Sequence, residues 1–411
     1  MNSSSESSVA AELIRTPPAV AAPPTAEVNR ALVHGIAWTA GGKWATQLIS
    51  WASTIIVARL LTPNDYGLVG MAAIYLGLVA VVSEFGIGAA IITLQDLSDE
   101  AIAQLNSLSV FVGFAIFVLS CAAAYPLSLF FRTPSLTPVV LVLSVSFIVG
   151  AFRSVPNALI QRRFGFRDLA AIDALRAMSA AIIAVVLATL GFRYWALVLS
   201  EVVGVAIATV LTVIRRPQGF AVPRFAAIEA AVTYSRRVLV GRLSWFVYSN
   251  SDFLVAGRVL GQAALGSYDF AWTLTNIPIE KVTSLISGVT PAIFASVQKD
   301  KEALKGYILS LTEAISLLAF PASIGIALVA GDLIHGVFGD KWAGAVAPLR
   351  MLALYATLRC IMPILPPALN VCGKTRFLMY PGLASAVVFP LAFWIGSHRG
   401  TIGIATVWVI L

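Results

Sequence analysis

Apolar positions in this chain come in long unbroken blocks separated by short polar turns, and from about residue 33 onward nearly every block is long enough to cross a membrane as a helix. The hydrocarbon layer is ~30 Å thick, so a spanning helix needs about 20 apolar residues. The pattern predicts helices over 33–58, 67–94, 104–131, 137–160, 171–191 and 194–214, then over 237–257, 266–297, 304–331, 345–369, 376–397 and from 401 onward. The alternating segments of about ten residues that build a membrane β-barrel are not seen, so the spans read as helices. The final run holds 11 residues before Leu411. That is about 16 Å of helix, too short to cross, and the expectation is a twelfth helix cut short by truncation.

The blocks are arranged as a repeat. At an offset of 199 residues (258 − 59), Gly42 falls on Gly241, Lys43 on Arg242, Ser50 on Ser249, Arg59 on Arg258, Leu61 on Leu260, Gly67 on Gly266 and Ala72 on Ala271, with no gap. In both copies an apolar run ends at an arginine, a turn follows, and a glycine opens the next run. The expected fold is an all-α polytopic membrane protein with two six-helix lobes related by a pseudo-two-fold axis. Its expected domains are a disordered cytoplasmic tail over 1–30, an N-terminal lobe over 31–214, a basic cytoplasmic linker over 215–235 and an incomplete C-terminal lobe over 236–411. Parallel repeats about a shared midline are a common plan for secondary transporters.

Composition agrees. The chain is 59% hydrophobic and 12% charged, about half the charge of a soluble domain, more apolar surface than a water-soluble fold of this length can bury. The net charge of +8 is not a nucleic-acid footprint, because the bases sit in short loops, where they set topology. Arg153, Arg162, Arg163, Arg167 and Arg176 follow the fourth helix, and Arg215, Arg216, Arg224, Arg236 and Arg237 lie in or beside the linker. Together with lysines in the later even-numbered loops they outnumber Arg59, Arg132, Arg193, Arg258, Lys341 and Arg399 in the odd-numbered loops, which puts the N-terminus in the cytoplasm. The three cysteines and three histidines are too scattered for a disulfide framework or a metal site. No Gly-rich phosphate loop and no catalytic constellation is present, so neither an enzyme nor a cofactor is expected. Trp38, Trp44 and Trp51 read as interfacial belt or packing more readily than as a sugar platform.

Charges inside the spans are the candidate chemistry, since a charge at mid-bilayer costs at least ~2.5–3.5 kcal/mol and usually faces a wet interior. Lys43, Gln47, Ser50 and Thr54 draw a polar stripe down the first helix, and Arg242, Ser249 and Asp252 draw one down the seventh. If the lobes pack about an axis, Lys43 and Arg242 face each other near the inner mouth of a central cleft, and Arg59 and Arg258 repeat the pattern at the outer ends. Paired arginines suit an anion such as a phosphate. The alternatives are snorkelling to the interface for the first pair and helix C-caps for the second. Arg359 either faces the cavity or pairs with an acid such as Glu313. Glu84, Glu201, Asp252, Asp269 and the Glu280-Lys281 pair are candidates for ion pairs or proton coupling, Asp252 foremost and Glu84 beside it.

The run from Arg59 through Leu61-Thr62-Pro63-Asn64-Asp65-Tyr66-Gly67 to Met71, followed by Glu84-Phe85-Gly86-Ile87-Gly88-Ala89-Ala90, resembles the start of Wzx-type polysaccharide flippases. Asp252 to Arg258, Gly261, Leu265-Gly266, Tyr268, Pro278, Pro291, Pro321, Gly339 with Trp342, and Gly373 extend the resemblance over about residues 33–411. The resemblance implies membership of the superfamily of multidrug, oligosaccharidyl-lipid and polysaccharide exporters. It implies translocation of undecaprenyl-pyrophosphate-linked repeat units across the bacterial inner membrane for lipopolysaccharide or exopolysaccharide assembly. The implied partners are the lipid-linked oligosaccharide, membrane lipid, a polysaccharide polymerase and glycosyltransferases. A peptidoglycan-precursor flippase, a cation-coupled multidrug exporter and a membrane glycosyltransferase or polymerase are the other readings. The exporter fits less well, because cationic drugs want an acidic cavity and the inferred cleft is basic.

Overall fold

The computed structural model describes residues 49–83, 87–93, 97–222, 243, 245–287, 290, 294, 297, 300–372 and 376–411. The protein is an all-helical, multi-pass membrane protein; the described residues contain no strand, and seven of their helices are long and apolar enough to span a bilayer. In order they are α1 (Ile49–Leu60), α2 (Pro63–Ser83), α3 (Ile87–Thr93), α4 (Asp99–Phe130), α5 (Leu136–Arg162), α6 (Phe166–Thr189) and α7 (Trp195–Arg215). The second series is α8 (245–255), α9 (Gln262–Ser287), α10 (Lys301–Leu333), α11 (Val346–Arg359), α12 (Leu365–Val371), α13 (Arg376–Ser397) and α14 (Gly400–Ile410). Single π-turns continue α8 as far as Leu260 and α10 as far as Phe338. Phe111, Phe114 and Leu119 on α4 and Leu317, Leu318 and Leu328 on α10 are exposed, as lipid-facing side chains must be.

Local chemistry sets the ends. Pro63 opens α2 in the first helical turn, where a missing N–H costs nothing. Thr62 and Asp65 form a reciprocal capping box there: the Thr62 amide donates to Asp65 Oδ2 at 2.9 Å and the Asp65 amide to Thr62 Oγ1 at 3.3 Å. Arg193, in the α6–α7 turn, approaches the same carboxylate at 3.5 Å. Ser98 Oγ caps α4 by accepting from the Ala101 amide, and Asp300 caps α10 by accepting from the amides of Glu302 and Ala303.

Helices α4 with α5, α6 with α7, and α5 with α7 pack as neighbours in the first series, and α10 with α11, α9 with α11, α11 with α14 and α13 with α14 in the second. Beyond α7 the chain is strapped to the first series: Asn106 Nδ2 donates to Gly219 O at 3.2 Å, the Ala221 amide to Ser107 Oγ at 3.0 Å, and Phe220 meets Phe152 edge-on. The two series meet along α2 and α9, which open 199 residues apart (262 − 63), at the offset of the sequence repeat. Leu68, Met71, Val139, Leu265, Phe270, Trp342 and Leu349 share one buried core across this seam.

Several predicted helices differ: those expected to begin at 67, 104 and 171 begin at Pro63, Asp99 and Phe166. The run over 345–369 is not one helix: α11 stops at Arg359, a 3-10 turn covers Met362–Ile364, and α12 follows. Pro363 has no N–H for the Arg359 carbonyl, four residues back, so the α-helical ladder breaks there. The eighth predicted helix begins earlier than expected, at Gln262.

Candidate functional site

The seam closes at one end through residues equivalent in the repeat. A Cβ on Gly67 would lie 1.8 Å from Gln262 O, and one on Gly266 would lie 1.9 Å from Pro63 O. Only glycine permits this approach, and the two glycines are repeat partners, so α2 and α9 cross about a local two-fold. Gln262 Nε2 donates to Asn64 O at 2.6 Å. Around this crossing Arg59 donates through Nε to Val337 O and through Nη2 to Gly336 O, capping the final carbonyls of the α10 π-turn. Lys341 Nζ donates to Arg59 O, and Trp342 Nε1 to Ala58 O at 2.9 Å. Arg258, the repeat partner of Arg59, lies 5.3 Å above the ring of Phe130, at the end of α4. Each arginine thus reaches the end of a helix in the opposite series.

Further along the seam lies an open cavity of about 430 Å³. Its wall is Tyr66, Val69, Gly70, Ala73 and Ile74 of α2, Leu197, Ser200 and Glu201 of α7, Asn250 and Phe253 of α8, and Asp269 of α9. Glu201 is paired with Arg176 across α6 and α7. Asp269 has no hydrogen-bond or ion-pair partner among the described residues.

Asp252 sits beside this wall, fully buried in the second series. Its Oδ2 accepts from Tyr268 Oη at 2.8 Å and from Trp408 Nε1 at 3.0 Å, while Oδ1 has no hydrogen-bond partner. Trp408 packs on Tyr355 at 5.0 Å and on Trp272 at 5.5 Å. Arg359 closes the cluster: its guanidinium lies 4.8 Å over Trp272 and 5.9 Å from Tyr355, and Nη1 donates to Asn276 Oδ1 at 2.9 Å. Of the two settings open to Arg359, the acid partner is not Glu313, which is exposed; the guanidinium is held by an amide and two rings.

The structure therefore sets Arg59 and Arg258 each against the end of a helix in the opposite series, and brings Asp252 and Arg359 into one aromatic cluster. Lys43, Arg242 and Glu84 lie outside the described residues, as do Glu280 and Lys281 at the level of side chains. Tyr268, Trp272 and Asn276 stand four residues apart on α9, a spacing legible in the sequence; that Tyr355 of α11 and Trp408 of α14 join them around the charges was not, because no spacing links separate helices.

With this geometry in place, the comparisons decide the family. A family model described as polysaccharide biosynthesis protein matches residues 56–347. The chain belongs to that family. The lipopolysaccharide biosynthesis protein WzxC of Escherichia coli K12 is 25% identical over 78% of this chain and 67% of its own length. The succinoglycan biosynthesis transport protein ExoT of Rhizobium meliloti 1021 is 24% identical over 94% of this chain and 79% of its own. Among solved structures, the lipid II flippase MurJ in an inward closed conformation superposes with a TM-score of 0.74 over 91% of this chain and 84% of its own at 11% identity, a likeness of fold.

Proposed function

We propose that this protein is a flippase carrying undecaprenyl-pyrophosphate-linked oligosaccharide repeat units across the bacterial inner membrane for lipopolysaccharide or exopolysaccharide assembly. The observation that carries the reading is the family match over residues 56–347, which takes in the first series from the end of α1 and the second as far as α10, with the seam between them. The helical pairs rock about the seam to expose it to each side in turn, and the protein performs no catalytic step. The N-terminus is cytoplasmic, with a tail over 1–30, a lobe over 31–214, a basic linker over 215–235 and a second lobe over 236–411. A polysaccharide polymerase and glycosyltransferases work beside it.

In this reading Lys43 and Arg242 meet the pyrophosphate at the inner mouth, and Arg359 meets it deeper in. Planar guanidinium groups match phosphate oxygens in pairs, and Arg359 uses one of its donors on Asn276. Arg59 and Arg258 serve the cargo at the other end once their present contacts part. Asp252, with one carboxylate oxygen unpartnered, and Glu84 couple transport to an ion or proton. The test is deletion of the gene in its host: surface polysaccharide is lost and lipid-linked repeat units accumulate on the cytoplasmic side. Drug hypersensitivity with intact surface polysaccharide overturns the reading.

A further inference from the structure

The seam cavity exists because the two repeats differ at equivalent positions. Gly70 corresponds to Asp269 and Ala73 to Trp272 at the 199-residue offset (269 − 70). Helix α2 is small where α9 is large and polar, and the space left above Gly70 and Ala73 lies opposite Asp269. Its volume of about 430 Å³ falls in the ~300–1,000 Å³ range of small-molecule pockets, room for roughly one or two sugar rings.

The hydrogen-bonding capacity of the wall leans to acceptors. The Ser200 hydroxyl donates to Leu197 O at 3.0 Å, and Asn250 Nδ2 donates to Phe246 O at 3.0 Å. Glu201 is engaged by Arg176. What remains for a guest is acceptor capacity at the Asp269 carboxylate, the rest of Glu201, the Asn250 amide oxygen and the Ser200 lone pairs, against two donors, the Tyr66 hydroxyl and the second Asn250 amide hydrogen. Among the described wall residues there is no lysine, arginine or histidine. A phosphate or uronate here would meet two carboxylates, and the Arg176 guanidinium beside them is already engaged by Glu201, an unfavourable arrangement for an anion. A ring rich in hydroxyl or ammonium groups brings the missing donors, and its C–H faces suit the rings of Tyr66 and Phe253.

We propose that this cavity is a sugar subsite selective for donor-rich neutral or amino sugars, with Asp269 as its principal acceptor, and that the acidic parts of the cargo are held elsewhere. The identity of the cargo rests on the flippase reading above. The test places the full chain in lipid nanodiscs and measures saturation-transfer NMR with methyl glucosaminide, methyl glucoside and methyl glucuronide at equal concentration. The first two are expected to show saturation at least about fivefold above the third. Ala73→Leu, which fills the cavity from an exposed position on α2, is expected to abolish it, and Asp269→Asn to narrow the gap between the first two sugars and the glucuronide. Equal saturation by the glucuronide, or signals unchanged in Ala73→Leu, overturns the subsite. Complementation separates the two claims. Polysaccharide lost on deletion but fully restored by Ala73→Leu sinks the subsite alone, whereas polysaccharide unaffected by deletion sinks the flippase reading.

Discussion

Arg359 and Asp252 show how a single side chain in a membrane interior is made tolerable. Arg359 spreads its charge over two aromatic faces and one amide, a set that a planar, weakly hydrated guanidinium meets together by stacking and a compact, strongly hydrated ammonium meets less well. Arg359→Lys is therefore expected to fail almost as badly as Arg359→Ala, with export of surface polysaccharide down at least about tenfold in both; a lysine variant at the wild-type level would remove the arginine-specific role. Asp252 lies among rings with two donors on one oxygen and none on the other. Asp252→Asn keeps the shape and both acceptor contacts, so it should accumulate normally in the membrane while losing export. Asp252→Leu leaves Tyr268 and Trp408 without their acceptor and should lower the amount of folded protein as well, since a buried unmade hydrogen bond costs about 1–3 kcal/mol. Fluorescence size exclusion separates the two outcomes.

At the scale of helices, the crossing of α2 and α9 depends on the absence of two Cβ atoms. Gly67→Ala and Gly266→Ala each push a methyl group into backbone carbonyl less than 2 Å away, and the helices have to separate; overpacking of this kind costs about 1–3 kcal/mol or more. Gly70→Ala is the control, because its Cβ would meet Leu265 Cδ2 at an ordinary 3.6 Å. The first two variants should lower the apparent melting temperature in detergent and the third should not. Equal melting of all three would show that α2 and α9 do not cross as described. The break after α11 has a similar local cause: Pro363 deprives the Arg359 carbonyl of a helical donor, which leaves the arginine at a helix end.

For the whole molecule, one end of the seam is held by cross-series contacts from Arg59, Lys341, Trp342 and Gln262. If the series rock against each other during transport, this clasp must open. A cysteine pair replacing Asn64 and Gln262, in a chain whose Cys121, Cys360 and Cys372 have been removed, is expected to cross-link under oxidation, stop export and release it on reduction. Full export by the cross-linked protein would mean that the clasp stays shut throughout the cycle.

The sequence by itself determined the class of fold. Blocks of apolar residues with so little charge between them can bury their backbone polar groups in lipid only as helices, and the repeat at a fixed offset located the equivalent helices α2 and α9 before any coordinates. It also singled out Asp252, Asp269 and Arg359, because charges within spans are visible by their cost, and Arg59 and Arg258 by their equivalence in the repeat. Tertiary structure decided what each charge touches. Arg59 bonds to carbonyls nearly 280 residues away in the chain, and Arg359 rests on Trp272 and Tyr355 of two different helices. The acceptor-rich character of the cavity follows from which hydroxyl and amide donors the backbone has already taken. Helical periodicity fixes which residues share a face of one helix. It carries no information about the rotation and register of that helix against its neighbours, and those settle which polar groups remain free for cargo.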